Sequence, residues 1–178
     1  MTTSMIAFAS ALIMAGGALA QGAVPTGGGP NDAQIASIVV TANQVDIDAG
    51  KLAESMGSTK EVKAFGKQMV TDHTGVNEQA VALVTKLKVP PEDNPTSQSL
   101  KAGGADNVKK LQSLQGAAFD KAYIDHEVAY HEQVLDAIDK MLVPNAKNEE
   151  LKALIVKVRP AFVAHLEHAK MIQASLKK

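Results

Sequence analysis

The run KVPPEDNPTSQSLKAGGADNVKKLQSLQ, residues 88–115, decides how this chain folds. On both sides of it, apolar residues recur at three- and four-residue spacing, the period of one face of an α-helix. Pro90-Pro91 stops the helix before it, and a new helical pattern opens near Gly116. Glu92 to Gly104 is rich in Pro, Ser, Asn and Gly and reads as a loop, while Ala105 to Gln115 reads as a short extra helix. About 28 residues are far more than neighbouring helices of an up-and-down arrangement need, for which roughly two to eight suffice.

Four apolar stripes flank this connection. The first, from Asn31, is Ile35, Ile38, Ala42, Val45, Ala49, Leu52 and Met56, with Asp32 placed to cap its start and Gly57 where a left-handed cap would end it. The second opens on Ser58-Thr59-Lys60-Glu61, which fits a capping box, and carries Val62, Phe65, Met69, Val76, Ala80, Leu83 and Leu87. A third helix is predicted from about Gly116 to Leu142, ended by Pro144, with Phe119, Tyr123, Tyr130, Val134, Ala137 and Met141 on its face. A fourth starts near Asn148 and carries Leu151, Leu154, Ile155, Val158, Phe162, Ala169, Ile172 and Leu176. Pro160 inside it predicts a kink before His165. Short turns make pairs one-two and three-four antiparallel hairpins, and the long segment can cross the length of the molecule between them. The expected fold is all-α: a ferritin-like four-helix bundle over residues 31–178, two antiparallel hairpins joined by a long crossover.

The chain's 178 residues, 46% hydrophobic and 21% charged, suit one domain of this kind. Eighteen basic residues against 19 acidic ones leave a net charge of −1, without the basic excess of a nucleic-acid binder. There is no Cys, which excludes disulfides, thiolate metal sites and covalently attached haem. Residues 1–20 carry no charge and contain the apolar run Met5 to Met14, then Ala18-Leu19-Ala20, a small-x-small cleavage pattern. They read as a signal peptide cut after Ala20, which predicts a periplasmic or secreted protein without strong membrane association after cleavage. Residues 21–30, with four Gly and two Pro, read as a flexible tether.

The five His are the scarce, chemically capable residues. At 100° per residue, His73 and His165 each fall within about 20° of the centre of an apolar stripe. Glu127 sits inside the apolar arc of the third helix, with His131 one turn on, and Asp46 borders the stripe of the first. His126 and His168 lie off their stripes and are expected at the surface. His73, His131, His165 and Asp46 each lie within about three residues of a helix midpoint, so four helices bring polar groups to one layer about 5 Å to either side of mid-height. Three readings of such a layer stay open: a shared transition metal held by His73, His131 and His165 with Asp46 and Glu127 as supporting ligands, a metal-free polar network that fixes helix register, or a haem or other ligand. Asp72, Asp120 and Tyr123 are candidates for orienting the ligands from outside. No Glu-x-x-His occurs, and a His-rich, carboxylate-poor layer favours zinc, copper or nickel over iron. The sequence therefore points to a non-enzymatic binding or interaction protein ahead of a di-metal or haem oxidoreductase.

Several segments carry a family resemblance: Asp46-Ile47-Asp48-x-Gly50-Lys51-Leu52-Ala53, Val62-Lys63-x-Phe65-x-x-x-Met69-Val70-x-Asp72-His73, Phe119-Asp120-x-x-Tyr123, and His165 in the last helix. Together they resemble the bacterial domain of unknown function 4142 family, over Asp32 to Ile172. The family pattern also has a His at the position of His131, and commonly Glu where this chain has Asp46 and Asp48. The resemblance implies an exported, ferritin-like helical bundle and assigns it no activity.

Overall fold

The computed structural model describes residues 28–177, so the predicted signal peptide and most of the tether lie outside the described residues. Five long helices make up the fold, with no strand among the described residues: α1 (Asp32–Met56), α2 (Lys60–Leu87), α3 (Pro95–Gln112), α4 (Gly116–Ala137) and α5 (Glu149–Ser175). No helix among the described residues is long and apolar enough to cross a membrane.

Contacts between helices give their directions. Asn43 meets His73 and Asn77 reaches the Val40 carbonyl, so rising numbers on α1 face falling numbers on α2. The same reversal pairs α4 with α5 through Glu132–Lys170 and Gln173–Asp125, and α2 with α5 through Asp72–His165, Gln79–Lys157 and Lys86–Glu150. Helices α2 and α4 therefore run the same way, and the chain between them must return along the molecule. It does so beside α1: Asn94 bonds to the Gln34 carbonyl near the start of α1, and Gly104 lies against Val45 ten residues further on.

That return path is where the sequence reading needs correction. Residues 92–104 were expected as a loop, yet α3 begins at Pro95 and runs unbroken to Gln112. Its start is a reciprocal cap in which Asn94 accepts from the Thr96 and Ser97 amides while the Ser97 hydroxyl accepts from the Asn94 amide. Pro95 occupies the first turn, where its missing N–H costs nothing. Ser does here what Glu or Gln does in the usual capping box. The Gly pair 103–104 lowers helix propensity, but Gly104 lets α3 settle onto Val45, and packing outweighs propensity.

Other helix ends differ in detail. Asn31, not Asp32, caps α1; the Asp32 carboxylate instead accepts from the Lys147 and Asn148 amides, tying the α4–α5 turn to the start of α1. Gly57 has φ −51°, so the cap is not left-handed. Thr59 caps α2 by accepting from the Val62 amide, with no capping box from Ser58 to Glu61. Pro144 does not end α4 at Leu142: a π turn, Ile138–Leu142, in which the Val143 amide reaches the Ile138 carbonyl, carries the helix on to Asn145. Because Pro144 lacks the N–H of a regular i→i−4 bond, a widened turn accommodates it. Pro160 lies on the exposed side of α5 and the helix runs through it, leaving the carbonyl it cannot bond on the solvent side.

Apolar side chains form two buried clusters. One gathers Ile35, Ile38, Val134, Ile138, Leu151, Ile155 and Phe162, the other Ala53, Val62, Phe65, Met69, Phe119, Tyr123, Ala169 and Ile172. On α1 the residues between Ile38 and Ala53, and on α2 those beyond Met69, carry the polar layer between the clusters.

Helix α1 approaches α2 closely at two glycines. A Cβ on Gly66 would stand 2.6 Å from the Ala53 Cβ and 2.7 Å from the Gly50 carbonyl oxygen. Gly66→Ala is therefore expected to lower stability by about 1–3 kcal/mol through overpacking. Gly75→Ala, on the same helix with open space around it, is expected to raise stability by up to about 1 kcal/mol. Thermal or denaturant unfolding of the two variants checks the contrast; equal effects would mean that the glycine contact does not set the α1–α2 spacing.

Candidate metal centre

The structure brings His73 from α2, His131 from α4 and His165 from α5 together at mid-height, with one ring nitrogen of each within 4.8 Å of the others. Their rings meet at centroid distances of 5.2–5.7 Å, and Phe162 covers the cluster from the side, 5.0 Å from His73. His73 and His131 are fully buried and His165 is 3% exposed.

Each ring is held by its outer nitrogen. Nδ1 of His73 lies 2.8 Å from Asn43 Oδ1, and the Asn43 amide is oriented by its own bond from Nδ2 to the Val39 carbonyl. Nδ1 of His131 donates to the Glu127 carbonyl at 3.0 Å, and Nε2 of His165 donates to Asp72 Oδ2 at 2.9 Å. All three partners are acceptors, which assigns the proton in each neutral ring to the bonded nitrogen. The nitrogens left over are Nε2 of His73, Nε2 of His131 and Nδ1 of His165, and none has a hydrogen-bond partner. Metal-binding imidazoles carry this arrangement, one nitrogen donating outward to fix the tautomer and the other free to ligate.

Asp46 and Glu127 approach the same rings from the other side. Asp46 Oδ2 is 3.5 Å from His73 Nδ1, and Glu127 Oε2 is 3.5 Å from His131 Nδ1. The two carboxylates group with His131 in a second set of ligand atoms within 4.8 Å of one another. Both are buried, and all four of their oxygens lack a donor. Tyr123, one turn before Glu127, is fully buried in the same region, and its hydroxyl is also unpartnered. Among the described residues no lysine or arginine is buried, so no cationic side chain offsets these acids.

Burial drives the titration of the whole cluster. It raises Asp46 well above the ordinary carboxylate range, helped by the charge of Glu127, and pushes Glu127 up to about 8. Burial also lowers His73, with the neighbouring His131 and His165 adding to the effect, and takes His131 down to about 4. His165 is lowered by burial too, against the opposing pull of Asp72. At neutral pH and without a bound cation, the rings are therefore neutral and at least one carboxyl keeps a proton.

The remaining candidates separate. Asp72 reaches the cluster only through His165 and is itself half-exposed. Asp120 does not face the cluster: its oxygens accept from the Ser58 amide at 2.7 Å, the Ser58 hydroxyl at 2.6 Å and the Thr59 amide at 2.9 Å, which fastens the α1–α2 turn to α4. His126 and His168 are half-buried rather than surface residues, one stacked on Tyr130 and the other bonded to Gln68 with its ring edge-on to Phe65. The sequence reading missed Asn43. Its signal was present, since Asn43 lies one turn before Asp46 and one turn after Val39 on the buried face of α1.

A pH test follows for the protein in chelator. Glu127 titrates higher folded than unfolded, so its contribution to stability is full below about pH 4.5 and is lost as pH rises toward about 8. The histidines act oppositely but only below their unfolded value near 6.5. Between pH 6.5 and 8 wild-type stability should therefore fall relative to Glu127→Gln, by on the order of 1 kcal/mol per pH unit. Parallel wild-type and variant curves from thermal unfolding would mean that Glu127 is not protonated in the folded state.

No curated protein and no solved structure shows significant similarity to the chain. The match that does emerge covers residues 17–172 and so takes in all three histidines, both carboxylates and every helix up to the last three residues of α5. The chain belongs to the family described as domain of unknown function 4142.

Proposed function

We propose that this protein is an exported, ferritin-like four-helix bundle that binds a transition metal ion through His73, His131 and His165, and that it serves metal handling or envelope stress without itself being an enzyme. The observation that carries the reading is three buried histidines with one ring nitrogen of each within 4.8 Å of the others, each ring having one nitrogen held by an acceptor and its other nitrogen without a partner. A metal-free polar network would instead pair these atoms with one another, since an unsatisfied buried polar group costs about 1–3 kcal/mol. Three imidazoles suit zinc, copper or nickel. The bundle reading is supported by the parallel course of α2 and α4, which demands the long return along α1. Export is supported by the apolar, uncharged residues 1–20 and their small-x-small end.

Purified protein stripped with chelator and dialysed against zinc, copper or nickel is expected to retain metal and to unfold at higher temperature. At a free ion concentration a hundred times Kd the stabilisation is about 2.7 kcal/mol. His73→Ala should lose that stabilisation while keeping the helical circular-dichroism spectrum. Neither retained metal nor a thermal shift with any of the three ions would sink the proposal.

A further inference from the structure

We infer that Asp46 and Glu127 form a second cation subsite, walled from the three-histidine site by the His131 ring, so that the cluster takes two divalent ions. This rests on the metal-binding reading above and extends it to carboxylates that the histidine set leaves unused.

Three observations carry the second subsite. The ligand atoms fall into two sets that share only His131: His73, His131 and His165 in one, Asp46, Glu127 and His131 in the other. Asp46 and Glu127 approach the Nδ1 edges of His73 and His131, the edges away from the unpartnered Nε2 atoms. One ion bound by those Nε2 atoms is therefore not the ion these carboxylates face. Charge is the second observation. Two acidic side chains, 0–1% exposed, have no buried lysine or arginine among the described residues to offset them. Burying an ionised carboxylate without a partner costs several kcal/mol even after relaxation, so the pair must hold protons or a cation. A dication matches two carboxylates in charge.

The third observation is the unpartnered hydroxyl of Tyr123, fully buried one helical turn from Glu127. On α4 it stands one turn before Glu127 and two turns before His131, which sets it beyond the carboxylate along the helix rather than at the histidines. A buried phenol normally finds an acceptor, as Tyr130 does at the Ala42 carbonyl 3.1 Å away. By that position Tyr123 offers its free hydroxyl oxygen to the carboxylate end of the cluster. Oxygen donors select a harder ion than three imidazoles do, which makes manganese(II) or iron(II) the class expected here and zinc, copper or nickel the class expected beside it.

The test uses the full chain, stripped with chelator, then equilibrated anaerobically with zinc and manganese(II) and freed of excess metal. Metal content by mass spectrometry is expected to give one zinc and one manganese per chain. Asp46→Asn with Glu127→Gln should keep the zinc and lose the manganese. Tyr123→Phe, which removes one oxygen and little volume, should weaken manganese binding at least tenfold in a titration followed by electron paramagnetic resonance, leaving zinc unchanged. It serves as the folding-safe variant should the double substitution fail to fold. Wild-type protein that binds one ion in total, or a manganese affinity indifferent to Tyr123→Phe, overturns the second subsite while leaving the histidine site standing. No ion bound at all overturns both.

Discussion

Five ionisable side chains from four helices are buried together with no lysine or arginine among them, and this constraint governs the rest of the molecule. A core built only to fold would fill the level between its two apolar clusters with more of the same residues. This one accepts the desolvation of Asp46, Glu127, His73, His131 and His165 there. Removing charge from water is costly, so burial holds the rings neutral and the carboxyls partly protonated. The cost is lowered only on the outer side, where Asn43, the Glu127 carbonyl and Asp72 occupy one nitrogen of each ring. The inner nitrogens and the carboxylate oxygens are left without partners.

Such a cluster needs helices that hold still. The close approach at Gly50 and Gly66 sets the spacing of α1 and α2 about two turns from Asn43 and His73. Asp120 locks the turn between those helices to α4 with three hydrogen bonds, and Asp32 locks the α4–α5 turn to α1. Both ends of the molecule are thus fastened by an acid that caps backbone amides, while acids of the same kind at mid-height have no such donors. The contrast separates a structural carboxylate from one left free for a ligand.

Much of this was legible in residue spacing. The periodic stripes located α1, α2, α4 and α5 to within a few residues, and the placement of His73, Glu127, His131 and His165 on apolar faces at mid-height marked the residues that meet. Reading α3 failed because Ser, Asn and two glycines mask a helix whose formation depends on a Ser-based cap and on packing against Val45. Asn43 escaped because an asparagine in a helix gives no sign of its partner until a histidine from another helix is placed beside it. Asp120 was misplaced because a carboxylate near a tyrosine on one helix says nothing of the turn it faces, 62 positions away in sequence.

The sequence by itself determined which faces are apolar, how many long helices the chain makes on either side of residues 88–115, and which charged groups must share the interior. Periodicity and hydropathy are local properties, and these consequences follow without knowing any contact. Only the tertiary structure decided which nitrogen of each histidine is bound outward and which is bare, and that the carboxylates stand at the opposite edges of the rings from the bare nitrogens of His73 and His131. Those are matters of side-chain direction and of distances of a few ångströms between different helices, which no pattern along one chain specifies.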